Sequence, residues 1–155
     1  MFTAATIASR IDELSQEINK HYWHTLQTSE ITAVIVLRGG FIFGADLVRK
    51  LSMSVDVEFL RPNHLEELDP RAVQNKHILV IDDIYDTGNT CEKIRKDLIH
   101  CAQPDSIQFC CLLSKHLNDP RFTGFIVNEK AFYYGYGMDC RDGGNRSNPG
   151  IRWTD

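Results

Sequence analysis

Two stretches of this chain, ITAVIVL (Ile31 to Leu37) and HILVID (His77 to Asp82), are nearly unbroken apolar runs rich in β-branched residues. Such runs suit strands buried on both faces, since a strand with one wet face would alternate with polar residues. Each is followed by a polar loop containing glycine, RGG after the first and DIYDTGNT after the second, and then by a segment of helical spacing. In FIFGADLVRKL the residues Phe43, Leu47 and Leu51 fall in register, and in CEKIRKDLIHC so do Ile94 and Leu98. Strands alternating with helices imply an α/β fold, a mainly parallel twisted sheet flanked by helices.

The remaining segments fit that scheme. Ile7, Ile11, Leu14, Ile18 and Tyr22 recur at spacings of three and four, which predicts an amphipathic helix with Asp12, Glu13 and Lys20 facing water. VDVEFL predicts a second strand, with Val55, Val57 and Phe59 alternating against polar residues. SIQFCCLL supplies another, and FTGFIVNEKAFYYGYG two short ones around the turn-like NEK. RPNHLEELDPRAVQNK, with two prolines and many charges, reads as a surface connection. CRDGGNRSNPGIRWTD is too rich in Gly, Asn and Pro for regular structure, and the terminal segments are expected to form a small hood. At 155 residues one domain, 1–155, is expected, because the chain is too short for two ordinary ones.

Composition narrows the function. Hydrophobic residues at 43% and charged residues at 25% are ordinary for a soluble globular protein, which disfavours disordered and fibrous classes. A net charge of -4 argues against a nucleic-acid partner, which calls for a basic face. No apolar run approaches the ~20 residues that span a bilayer, and the first twenty residues lack the apolar stretch of a signal peptide, so a cytoplasmic protein without a membrane partner is expected. The five cysteines are odd in number and have no CxxC spacing, which signals neither zinc nor a disulfide framework. Cys110 and Cys111, inside an apolar run, read as small hydrophobic filler.

In open α/β sheets ligands bind beyond the carboxyl ends of the strands. The segments LRGG, DDIYDTGNT, SKH and YGYGMDC each follow a predicted strand, so all four fall at that edge. DTGNT, Asp86 to Thr90, joins a strand to a helix, where backbone N–H groups and the positive helix end can face one anion and Thr87 and Thr90 add hydroxyls. It lacks the lysine and spacing of a Walker loop, and taken alone it reads better as an ordinary helix N-cap with Asp or Thr. The adjacent Asp82 and Asp83 shift the balance. Two neighbouring carboxylates repel unless hydroxyl donors or a cation meet them, and ribose hydroxyls or hydrated Mg²⁺ are suitable partners. A phosphate cradle and a hydroxyl-binding acid pair on one loop suit a ribose 5-phosphate.

VIDDIYDTGNT resembles the signature of type I phosphoribosyltransferases: an apolar strand, two acids, then DTG and threonine. VLRGGFIFGADLVRKL is similar to the family's pyrophosphate loop and helix, and FYYGYGMD to the purine and magnesium segment of hypoxanthine-guanine phosphoribosyltransferases. The resemblance runs over roughly residues 31–139. It implies transfer of the 5-phosphoribosyl group from 5-phosphoribosyl 1-pyrophosphate (PRPP) to a 6-oxopurine, with Mg²⁺ as cofactor and a homodimer or homotetramer as the assembly.

The resemblance also implies residue roles. Leu37, Arg38, Gly39 and Gly40 match the pyrophosphate loop, with a non-proline cis peptide between the first two. Asp82 and Asp83 match the acids that hold the ribose hydroxyls and approach the metal. Asp86 matches the residue that exchanges a proton at purine N7, and Asp86, Thr87, Gly88, Asn89 and Thr90 match the 5-phosphate loop. Lys115 matches the donor to the 6-oxo group, Phe132 the stacking ring, and Tyr133 a backbone contact to the purine edge. Asp139 matches a carboxylate near a second Mg²⁺. Asn145 occupies the position of a pyrophosphate arginine, so that role passes to its neighbour Arg146.

Family members carry a long hairpin with a Ser-Tyr pair between the second strand and the VIDD strand. Here RPNHLEELDPRAVQNK stands in its place without that pair, which implies weaker exclusion of water from the reacting centre unless the terminal stretch or a partner subunit covers it. That departure motivates a second reading, a catalytically weak protein that senses PRPP or a nucleotide on the same fold. A phosphoacceptor receiver domain, whose opening acidic pair ILVIDD also resembles, would need more chain than the 72 residues after Asp83.

Overall fold

The computed structural model describes residues 1–154. Five parallel strands, β1 (Glu30–Val36), β2 (Ser54–Leu60), β3 (His77–Tyr85), β4 (Ser106–Ser114) and β5 (Phe122–Ile126), lie in the order β2-β1-β3-β4-β5. This is the α/β architecture that the two apolar runs imply. Both runs occupy the middle of the sheet, where every residue of β1 after Glu30 is buried. The order reverses between β1 and β3, and the loops leaving those strands diverge and open a crevice.

One face is covered by α1 (Ala4–Lys20) and α2 (Phe41–Val48), which enclose a core containing Ile7, Leu14, Ile35, Phe43, Leu79 and Leu112. Burying each such side chain contributes ~1.5–3 kcal/mol. Thr3 caps α1, its hydroxyl accepting from the Thr6 N–H at 3.2 Å. Arg10 ties the helix to β5 by donating to the carbonyls of Gly124 and Thr123, each at 2.8 Å. The helix then widens into a π turn, His21–Thr25, and Tyr22 donates from its buried hydroxyl to the Ile78 carbonyl. The opposite face is covered by α4 (Asn89–Ala102) and the short α3 (Pro70–Val73), around Val34, Ile78, Val80, Ile94 and Leu98.

Several boundaries differ from the sequence reading. The RPNHLEELDPRAVQNK segment is largely exposed, as a surface connection, but it is anchored: Leu68 and Val73 are buried, and the Thr32 hydroxyl donates to the Ala72 carbonyl at 2.9 Å. Asp69 caps α3 by accepting from the Arg71 N–H, and Pro70 supplies its preset φ at the first position. On β2, Val57 and Phe59 are exposed, because no helix reaches over that edge strand. The CRDGGNRSNPGIRWTD segment contains a strand after all. β7 (Arg152–Thr154) pairs antiparallel with β6 (Phe132–Tyr134), and Ile151 exchanges both backbone hydrogen bonds with Phe2 at 2.9 Å. Its turn-rich composition belongs to the loop ahead of β7. The terminal segments thus form the expected hood.

Cys110 and Cys111 are fully buried in β4 and the five cysteines are free, as the filler reading expects. No helix among the described residues is long and apolar enough to cross a membrane.

His21 is buried between the rings of Tyr22 and Phe122, and neither ring nitrogen has a hydrogen-bond partner. Burial lowers its pKa, with the positive charges of Arg121 and His77 acting in the same direction. A histidine lowered in the folded state takes up its proton first when unfolded, so its stabilising effect is present above the unfolded value and is lost as pH falls. The His21→Leu variant is therefore expected to show a smaller drop in Tm than the parent between about pH 7.5 and 5.5, measured by thermal denaturation.

Candidate active site

The first wall of the crevice is the turn Leu37–Gly40 after β1. The Leu37 N–H donates to the Leu60 carbonyl at 2.9 Å and the Gly40 N–H to the Val36 carbonyl at 3.0 Å. The Leu37–Arg38 peptide is cis, as the resemblance implies. Gly39 lies directly against the second wall: a Cβ built there would stand 1.8 Å from Oδ2 of Asp83. A Cβ at Gly40 would stand 2.8 Å from the Val36 carbonyl oxygen. Close approach, rather than an unusual φ, is what requires glycine at both positions.

That second wall is the end of β3, which runs on to Tyr85, so Asp83 belongs to the strand with Asp82 and not to the loop predicted after it. Asp82 is only 8% exposed and accepts from the Asp83 N–H at 2.9 Å, while Asp83 accepts from the Ile84 N–H at 2.7 Å. Burial pushes both carboxyls upward. For Asp82 the charge of Asp83 adds to that rise, whereas for Asp83 hydrogen bonds and the charge of Arg146 pull part of it back. The pair is thus poised to meet hydroxyls or a cation.

The chain next turns through Asp86–Gly88 into α4. Gly88 is the N-cap at φ +83°, and α4 has no side-chain cap. The alternative of an ordinary Asp or Thr N-cap is therefore not realised; the Asn89 N–H reaches the Thr87 hydroxyl at 3.4 Å, and the other opening N–H groups of α4 remain available to an anion. Asn89 and Thr90 open the helix, and a cavity of about 280 Å³ extends from Gly39 past Asp82 and Asp83 to Thr87 and Thr90. A larger groove of about 430 Å³ runs between α1, α2 and the segment Ser147–Pro149, away from these strand ends.

Asp86 lines the cavity, and Lys115, just beyond β4, places Nζ 3.1 Å from its Oδ1. The ammonium side chain is 13% exposed and the carboxylate side chain 59%. The Lys115 N–H extends the β3–β4 ladder by donating to the Tyr85 carbonyl at 3.0 Å. Phe132 begins β6, and the Arg141 guanidinium lies over its ring, 5.1 Å from the centroid. Tyr133 points into the core with its hydroxyl held by the backbone of Asn128, so its backbone is the part left for a ligand contact.

The loop after β6 closes against the loop after β1. Gly137, at φ +100°, comes so near Gly39 that a Cβ there would stand 2.4 Å from the Gly39 carbonyl oxygen. Arg146 spans this contact, donating to the Gly137 carbonyl and to Oδ2 of Asp139, each at 2.7 Å. Asn145 instead is exposed at φ +60° and donates to the Cys140 sulfur, which supports the transfer of its expected role to Arg146. The other oxygen of Asp139, Oδ1, is buried without a partner, a fit for a cation. Asp82, Asp83 and Asp139 do not form a three-ligand metal cluster, and none exists among the described residues. That pattern suits Mg²⁺, which keeps waters and takes one or two carboxylates together with substrate phosphates.

The crevice also uses residues that the sequence did not single out. Pro62 and Cys91 line it, and the Tyr85 hydroxyl fills the space where a Gly88 Cβ would lie, at 2.4 Å. Gly137 was visible only as part of YGYG, and His116 only as the neighbour of Lys115.

A parallel sheet with twin acids and an uncapped helix N-terminus at its switch point defines an α/β protein of the kind that binds phosphorylated nucleoside-like ligands. More particularly, the chain belongs to the phosphoribosyl transferase domain family, whose model matches residues 2–121. It is 34% identical to the hypoxanthine phosphoribosyltransferase of Haemophilus influenzae over 151 residues, covering 86% of this chain and 82% of that one. Among solved structures, the hypoxanthine phosphoribosyltransferase of Trypanosoma cruzi superposes with a TM-score of 0.85 at 27% identity, covering 99% of this chain and 94% of that one. A Leishmania tarentolae HGPRT-ase in complex with GMP gives a TM-score of 0.85 at 26% identity, covering 97% and 93%.

Two variants test the crevice. In Gly39→Ala the added methyl must displace the Asp83 carboxylate, and transferase activity is expected to fall by ~100-fold or more, the scale of a misplaced reacting group. Asp82→Asn removes a buried carboxyl whose ionisation opposes folding. A carboxyl raised in the folded state lowers stability as pH rises through its folded value, so the Asn variant is expected to have a higher Tm than the parent, by a gain that grows with pH. At ~2–4 °C per kcal/mol for a domain of this size, scanning calorimetry resolves it.

Proposed function

We propose that this protein, acting as one domain over residues 1–155 in the cytoplasm, transfers the 5-phosphoribosyl group of PRPP to a 6-oxopurine and releases pyrophosphate. The observation that carries this reading is the Asp86–Lys115 pair, 3.1 Å apart, beside the uncapped start of α4. A 6-oxopurine presents O6 and N7–H on one edge, to either side of C5, so a neighbouring ammonium donor and carboxylate acceptor match both at once. An aminopurine presents N–H donors where Lys115 also donates, which disfavours it. The relative from Leishmania tarentolae, with its bound GMP, supports the same ligand class.

In this reading the N–H groups of Thr87, Gly88, Asn89 and Thr90 hold the 5-phosphate. Asp82 and Asp83 accept from the ribose hydroxyls, and Phe132 stacks on the base once Arg141 moves off its ring. The turn Leu37–Gly40 and Arg146 face the leaving pyrophosphate, whose developing charge they stabilise electrostatically. Asp139, Asp82 and Asp83 are the residues that would hold Mg²⁺, which would supply neutralisation of the pyrophosphate charge. As N9 bonds to the anomeric carbon and the bond to pyrophosphate breaks, Asp86 takes the proton from N7, and in the reverse direction it returns it.

The same reading includes a homo-oligomer. Val57 and Phe59 on the open edge of β2 are apolar surface of the kind a second copy covers, and light scattering on the purified protein is expected to give a dimer or tetramer mass.

The decisive assay supplies PRPP and Mg²⁺ with hypoxanthine, guanine, xanthine or adenine in turn. Nucleoside 5-monophosphate and pyrophosphate are expected with one or more oxopurines and not with adenine; absence of turnover with every base would falsify the proposal and favour a PRPP or nucleotide sensor. Asp86→Asn is expected to lower kcat by ~10²–10⁴ while PRPP still binds, the range of a lost general acid or base.

A further inference from the structure

His116 follows Lys115 and is exposed, yet its ring makes a close and directed contact. Nε2 lies 2.5 Å from the backbone carbonyl oxygen of Asp86. A carbonyl only accepts, so the proton of this hydrogen bond belongs to the imidazole. The ring is set edge-on to Tyr85, with centroids 5.5 Å apart at 89°. Its backbone is held as well: the His116 N–H donates to the Ser114 hydroxyl at 3.0 Å, and that buried hydroxyl also reaches the carbonyls of His116 at 2.9 Å and Asp119 at 2.5 Å.

These contacts complete a closed set of ties between two loops. The Lys115 N–H donates to the Tyr85 carbonyl, the Lys115 ammonium pairs with the Asp86 carboxylate, and the His116 ring donates to the Asp86 carbonyl. Asp86 has no support of this kind from its own element, because it lies past the end of β3 and ahead of α4. Without the imidazole its peptide is fixed only through the chain itself, while its carboxylate is free to follow the lysine. With the imidazole, both main chain and side chain of Asp86 are referenced to the end of β4.

We propose that His116 is a positioning residue, fixing the Asp86 peptide so that its carboxylate meets the base at the geometry set by Lys115. The proposal rests on the phosphoribosyl transfer described above. It acts through Asp86 and involves no contact between His116 and the substrate.

Three variants separate the donor from the ring: His116→Ala removes both, His116→Phe keeps the edge against Tyr85 without a donor, and His116→Gln keeps an N–H at a similar reach. The Ala and Phe variants are expected to lose ~10–100-fold in kcat, the scale of a misplaced reacting group, with Tm unchanged, and Gln is expected to recover most of it. In an Asp86→Asn background the same substitutions are expected to add little, since residues acting as one unit are not additive. A readout independent of turnover is the backbone ¹⁵N shift of Thr87, whose amide shares its peptide with the Asp86 carbonyl. It is expected to move in the Ala and Phe variants and to stay close to its parent value in Gln. Full kcat in Ala and Phe, a Gln variant as slow as Ala, additive losses with Asp86→Asn, or an unmoved Thr87 signal would each overturn the proposal. Inactivity of the parent protein itself, with the Thr87 signal behaving as expected, would instead overturn the transferase reading and leave the hydrogen bond standing.

Discussion

Desolvation of two adjacent carboxylates at the end of the central strand governs the architecture around it. Asp82 and Asp83 follow four fully buried aliphatic residues on β3, and both carboxyls are raised by their burial. A chain tolerates this only where the surrounding backbone donates to the acids, and here the N–H groups of Asp83 and Ile84 do so. The glycines of the facing turn follow from the same constraint. Gly39 has no Cβ because Asp83 occupies that space, and Gly137 has none because Gly39 in turn occupies its own. Three successive layers of the site therefore take their spacing from one acid pair.

The opposing charge is arranged around that pair at graded distances. Arg146 lies near enough to lower Asp83 but is itself bound to Asp139, so the acids are not neutralised by a direct ion pair. Lys115 is engaged by Asp86, which lines the same cavity. A crevice with its cations already assigned to second acids presents both signs at once. That suits a ligand carrying hydroxyls, phosphates and a polar base along its length better than it suits a simple anion.

The parallel sheet was legible because its central strands must be apolar on both faces, and no other environment explains ITAVIVL and HILVID. The twin acids and the DTGNT turn were legible because their chemistry is local: acids, small residues and hydroxyls act within a few positions of one another. Contacts between distant segments were not. Thr32 to Ala72, His116 to Asp86 and Gly137 to Gly39 depend on which strands become neighbours, and no local pattern encodes that. β7 was hidden for a related reason. A three-residue strand at the end of a turn-rich segment has too little periodicity to read, and it exists because β6 and Phe2 offer it partners. The exposure of Val57 and Phe59 was missed because alternation reveals a two-sided strand but not whether anything covers either side.

The pairing of Phe2 with Ile151 joins the two extremes of the described chain, and this bears on the order in which the protein can take shape as it leaves a ribosome. The five parallel strands and the turns Leu37–Gly40 and Asp86–Gly88 lie between residues 30 and 126, whereas β6, Asp139, Arg146 and β7 come after them. The sheet can therefore assemble vectorially while β6 and β7 are still unmade. The backbone groups of Phe2 must wait for Ile151 before they find their partners.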